Sequence, residues 1–130
     1  MRFFLKILLV AVLAFGLGLF LPYWSAALAA FIVCILMIQK PKRRIFATKK
    51  QQNFSFSFFA GFIGVFLVWS FLAFSIDQAN HSILSSKIAD LILQDASKGF
   101  LMILITGTIG GLLGGLGAMT GNYLGLILRR

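Results

Sequence analysis

The chain has one histidine, His81, with Asp77 four residues before it and Ser82, Ser85 and Ser86 just after it. Aspartate, histidine and serine are the parts of a nucleophilic hydrolase, in which the carboxylate orients the imidazole and the imidazole deprotonates the hydroxyl. Here all of them share one short polar stretch. Nothing nearby supplies an oxyanion hole or seats a serine against the ring, so they read as solvated loop residues and no catalytic residue is assigned. The single cysteine, Cys34, lies inside an apolar run. It has no partner for an intramolecular disulfide, and Cys34 with His81 makes no ligand cluster for a metal. The expectation is a protein that is not an enzyme and carries no metal or cofactor.

What must position these residues is a set of four apolar blocks, at about 3–20, 23–38, 54–76 and 100–128. Hydrophobic residues make up 60% of the chain and charged residues 12%, against roughly a quarter charged in an ordinary globular domain. A helix crosses a hydrocarbon core of about 30 Å with roughly 20 apolar residues. The blocks are continuous, without the polar alternation of a soluble element, so the expected fold class is all-α: a four-helix transmembrane bundle forming a single membrane domain over residues 1–130. The second block is short for a crossing, and the fourth is longer than one requires. No Asp, Glu or His falls inside any block, which argues against a proton-coupled carrier acting alone, since such carriers keep ionisable groups within the bilayer.

Between the first two blocks lies only Leu21-Pro22-Tyr23-Trp24. Proline suits the first turn of a new helix and not the middle of an old one, and Tyr and Trp favour the headgroup level. A tight helical hairpin with its bend at a membrane surface is expected, in preference to one long kinked helix. Arg2 and Lys6 before an apolar stretch, with Ala27-Leu28-Ala29 after it, also resemble a signal peptide. The apolar run resumes at Phe31, however, and ends at a cluster of cations, so an uncleaved segment is expected.

Residues 39–53 carry Lys40, Lys42, Arg43, Arg44, Lys49 and Lys50 and no acid. Together with Arg2, Lys6, Arg129 and Arg130 they place ten cations and no acid on one side of the membrane. The 77–98 segment holds Asp77, Asp90, Asp95, Lys87 and Lys98, and the two sides sum to the net +9 of the chain. Cation-rich short loops stay cytoplasmic, which puts both ends and the 39–53 loop inside. The six loop cations are read first as a topogenic signal. Attraction to anionic lipid heads is a second reading, and nucleic acid is not expected, because no aromatic-interleaved or folded module accompanies the charges. In the outer loop, Leu84, Ile88, Leu91 and Ile92 recur at helical spacing, opposite Ser85, Ser86, Ala89 and Asp90. That pattern predicts a short amphipathic helix, lying at the membrane surface or packed on the mouth of the bundle.

Nine of the thirteen glycines fall between Gly99 and Gly125. Gly107, Gly111 and Gly115 form one row at four-residue spacing, Gly117, Gly121 and Gly125 a second, and Gly110, Gly114 and Ala118 a third. Small residues at this spacing let helix backbones approach closely. The eight glycines from Gly107 to Gly125 are therefore the candidate helix-packing site. Their partners could be the other spans, a second copy or a larger membrane complex, and a glycine-induced break that lines a path is a further reading.

The chain resembles a group of small uncharacterised four-span inner-membrane proteins of Bacteroidota. The likeness rests on the Gly18–Ser25 segment GLFLPYWS, the Gly61–Leu67 segment GFIGVFL and the Gly110–Gly121 segment GGLLGGLGAMTG. The resemblance implies a bacterial inner membrane and brings no activity, cofactor or catalytic residue. A structural or accessory subunit, or assembly factor, packing with other membrane proteins through glycine-rich faces is the expected function. A small homo-oligomeric channel, carrier or holin-like pore is the alternative, and membrane lipids are the expected surroundings.

Overall fold

Apolar runs free of interior proline satisfy their backbone groups most simply as helices, and helices are what form. The computed structural model describes residues 2–37 and 48–128, with side chains at 3–37 and 55–128. It is all-α, with α1 (Arg2–Gly18), α2 (Ser25–Leu36), α3 (Thr48–Ala79), α4 (Ile83–Leu93) and α5 (Gly99–Leu128). A 3-10 turn at Ala96–Lys98 precedes α5. Pro22 sits in the turn between α1 and α2, where the Phe20 and Leu21 amides both donate to the Leu17 carbonyl and close α1.

Two boundaries differ from the sequence reading. The basic loop expected over 39–53 gives up its last part to α3, which begins at Thr48. Lysine and glutamine are good helix formers, so the polarity of this stretch is no barrier to a helix. The outer loop is mostly helical: α3 continues to Ala79, and α4 then supplies the expected short helix. Despite its glycines, α5 is unbroken over 30 residues. Ser55–Ala79 of α3 and the Ala96–Leu128 stretch are long and apolar enough to cross a membrane, whereas α1 and α2 are shorter apolar helices.

Side-chain pairings fix the helix directions. The Phe3 and Phe56 rings lie 6.0 Å apart, and Ile7 and Val10 face Gly64, so α1 and α3 run the same way. Gly107, Gly111 and Gly115 of α5 face Phe66, Phe62 and Phe58 of α3, so α5 runs opposite to α3. Gly117 and Gly121 meet Ala27 and Phe31, which sets α5 parallel to α2. Among the described residues α1 packs on α2 and α3, and α5 packs on α2, α3 and α4. The result is an antiparallel four-helix arrangement with α4 across one end.

The core holds small residues: Val10, Ala14, Ala26, Ala29, Ala30, Val33, Cys34, Val65 and Ala118 form one cluster. The large apolar side chains point outward instead, with Phe4, Phe20, Phe71, Leu91 and Leu128 all more than 60% exposed.

Candidate functional site

The helix-packing site is built from two ladders of side chains. Along α3, Phe58, Phe62 and Phe66 recur every fourth residue, and their rings stack with centroids 6.1 and 5.9 Å apart. Along α5, Gly115, Gly111 and Gly107 offer flat backbone at the same spacing, and each ring lies against one glycine. Offset-stacked aromatic pairs contribute about 0.5–1.5 kcal/mol beyond their area, so the phenylalanine ladder is stiffened before it meets α5. Trp69 extends the contact over Gly110. Phe58, Phe62, Phe66 and Trp69 were not singled out by the sequence reading, although the four-residue spacing of the phenylalanines was there to be seen.

Beside the ladder, backbone approaches backbone. A methyl group at Gly61 would stand 2.5 Å from the Ala118 Cβ and 2.9 Å from the Gly114 carbonyl carbon. One at Gly114 would stand 2.7 Å from the Gly61 oxygen and 2.8 Å from the Val65 Cβ. Separations between carbon atoms are normally about 3.5–4.0 Å, so only hydrogen fits at these places. On another face of α5, a methyl at Gly117 would meet the Ala27 Cα at 3.1 Å, and one at Gly121 the Phe31 Cα at 2.9 Å. Gly125 is buried. The glycines of α5 are thus divided, Gly107, Gly110, Gly111, Gly114 and Gly115 to α3, and Gly117 and Gly121 to α2. In α1 the reverse holds, for Gly16 and Gly18 have no neighbour within 4 Å.

Polar groups within the apolar helices mostly bond to their own helix. Thr106 Oγ1 donates to the Met102 carbonyl at 2.8 Å, Thr108 Oγ1 to Leu104 at 2.7 Å and Thr120 Oγ1 to Leu116 at 3.0 Å. Ser57 on α3 hydrogen-bonds to the Cys34 thiol on α2, with Lys6 of α1 close enough to act on it electrostatically. Ser70 Oγ is buried without a hydrogen-bond partner and faces Gly107. Asn122 is buried as well.

The Asp77–Ser86 stretch spans the end of α3, a turn at Asn80–Ser82 and the start of α4. The Asp77 Oδ2 accepts from the Ser82 hydroxyl at 2.9 Å, and the hydroxyls of Ser85 and Ser86 donate to the Ser82 carbonyl. His81 and Ser82 adopt left-handed backbone angles, φ 51° and 57°, which reverse the chain from α3 into α4. The Asp77 Oδ2 and the serine hydroxyls are therefore engaged in local bonds at this reversal, while Asp77 Oδ1 is buried without a hydrogen-bond partner. Farther on, Asp95 accepts from the Ser97 hydroxyl and amide, and these bonds, with Lys98 at 3.3 Å, hold its carboxyl below the usual carboxylate range. Among the described residues no three of His, Cys, Asp and Glu gather as a metal site.

α4 turns Ser85 and Ala89 toward the bundle, with Ser85 against Gly99 at the start of α5. Its apolar residues Leu84, Leu91 and Ile92 are exposed. Of the cations assigned a topogenic or lipid-headgroup role, Lys40, Lys42, Arg43 and Arg44 lie outside the described residues. Lys49 and Lys50 are in the first turn of α3, and their side chains too lie outside the described set. No protein-family model, curated protein or solved structure matches the chain.

Proposed function

We propose that this chain is a multi-pass protein of a bacterial inner membrane, acting as a structural or accessory subunit or assembly factor that packs beside other membrane proteins. The observation that carries this reading is the distribution of side-chain size: the fully buried residues are mostly alanine, glycine and valine, whereas many phenylalanines, leucines and isoleucines outside the α3–α5 ladder are exposed. In water, contiguous exposed apolar patches beyond a few hundred Å² are rare in monomeric proteins. In lipid nothing drives large apolar groups inward, and small residues gather where helices meet. α3 and α5 supply two crossings, and α1 and α2 form a hairpin that enters from the side of the basic segment. By the charge asymmetry that side is the cytoplasm. α4 then lies at the outer interface, its Leu84, Leu91 and Ile92 directed at lipid.

Because α2 and α3 already occupy most glycines of α5, contact with another protein falls to the faces they leave, such as the end of α1, where Gly16 and Gly18 each lie open. The alternative, a homo-oligomeric channel, carrier or holin-like pore, needs groups that can replace water around a solute. The threonine hydroxyls of α5 are already committed to carbonyls one turn back, which favours the accessory reading. The test is isolation in mild detergent with mass measurement of the intact assembly. Co-purification of a different membrane protein at fixed stoichiometry supports the reading; a homo-oligomer that conducts ions in vesicles overturns it.

A further inference from the structure

Three separate pairings set the depth of the α1–α2 hairpin. Val10 of α1 faces Gly64 of α3; from there α1 runs about 12 Å to Gly18, while α3 runs about 22 Å to Ala79, at 1.5 Å per residue. Cys34 of α2 bonds to Ser57 of α3; from there α2 reaches its first residue in about 14 Å, and α3 its last in about 33 Å. Ala27 of α2 meets Gly117 of α5; Ser25 lies about 3 Å beyond, whereas the start of α5 at Gly99 lies about 27 Å beyond. The three overhangs differ in length, but every one has the same sign. The two helical arms of the hairpin, up to Gly18 and from Ser25, stop short of the ends of α3 and α5 that carry α4, with only the six tip residues beyond them.

We infer, resting on the membrane placement above, that the α1–α2 hairpin is re-entrant: it enters from the cytoplasmic side, turns inside the bilayer, and its apolar tip is bound by acyl chains. The chain then crosses twice, in place of the four crossings expected from hydropathy. The tip presents apolar residues for this, since Leu19, Phe20 and Leu21 are exposed. Backbone in hydrocarbon must satisfy its own polar groups. Part of the tip does so here: the Phe20 and Leu21 amides donate to Leu17, the Ser25 amide donates to the Pro22 carbonyl, and Pro22 brings no N–H. Beyond the tip, Phe71 and Phe74 of α3 and Leu101 and Ile105 of α5 remain exposed. Outer-leaflet chains are the occupant that the apolar character of this surface fits. The charge pattern is unchanged, because a re-entrant hairpin returns the basic segment to the side it started from.

The test uses two readouts on the full chain in membranes. In a Cys34→Ala background, Tyr23→Cys and His81→Cys are exposed to an impermeant maleimide on intact cells. His81→Cys should react, and Tyr23→Cys at least about tenfold more slowly, because only the thiolate is nucleophilic and apolar surroundings suppress it. In a Trp69→Phe chain reconstituted in phosphatidylcholine vesicles, Trp24 fluorescence should be quenched more by mid-chain bromolipid than by lipid brominated near the headgroup. Equal labelling of Tyr23→Cys and His81→Cys, or stronger quenching near the headgroup, overturns the re-entrant hairpin and leaves the membrane placement standing. Release of the protein by alkaline carbonate, or an unreactive His81→Cys, overturns the placement and the inference with it.

Discussion

Replacing Gly114 by alanine adds one methyl group where α5 crosses α3, and the same change at Gly16 provides its control. At Gly114 the new carbon would stand 2.7 Å from the Gly61 oxygen and 2.8 Å from the Val65 Cβ, with backbone on one side that cannot swing away. At Gly16 it would meet nothing within 4 Å. Both substitutions gain helix propensity, nearly 1 kcal/mol in water, so their difference isolates packing. Overpacking a well-filled interior typically costs about 1–3 kcal/mol. Gly114→Ala should therefore be less stable than Gly16→Ala by about that amount, a factor of roughly 5 to 150 in the equilibrium constant at 1.4 kcal/mol per decade. Reversible unfolding in mixed detergent micelles, with helicity as the signal, measures both variants against the parent. Equal effects at the two positions would refute the close α3–α5 approach.

Three further outcomes are expected. Asp95→Ala should speed amide exchange at Ser97, which loses its acceptor. In the parent chain the same cap, whose carboxyl is held below its usual range, should be fully formed above the ordinary aspartate pKa of about 3.9 and lost as the pH falls through the depressed value. Purified protein in liposomes should show no ion conductance above empty vesicles; reproducible leakage abolished by Thr108→Val or Asn122→Leu would instead promote the pore. Cysteines introduced at 40–44 in a Cys34→Ala chain should be shielded from impermeant reagents in intact cells, and labelling there would reverse the assigned orientation.

The all-helical class was legible because apolar blocks of this length have few other ways to satisfy their backbones. Hydropathy located the apolar segments but not the helix ends. Thr48–Asn53 reads as loop by polarity, and yet it is helix, because polarity reports the surroundings of a segment and propensity reports its backbone. The glycine rows showed that α5 has several close faces. Their division between α2 and α3 was out of reach, since it depends on which helix presents the phenylalanine ladder and which presents the bare backbone of Ala27 and Phe31. The depth of the α1–α2 hairpin depends on helix registers, which no single segment encodes. For α4, the spacing of leucine and isoleucine defined two faces, but not which one meets the bundle, which is the face of Ser85 and Ala89.

An interior of glycine and alanine also has a consequence for entropy. Glycine and alanine have no rotamers to lose on burial, whereas a leucine or isoleucine gives up about 0.5–1 kcal/mol and a methionine up to about 2. The fully buried cluster is mainly alanine with a few valines, facing a glycine ladder, so the rotamer cost of bringing the helices together falls mostly on the phenylalanines of α3, Trp69, Met102, Ile103 and the leucines packed on the cluster. Many of the long, rotamer-rich residues stay on the outside, where, in the proposed lipid surroundings, they keep their motion.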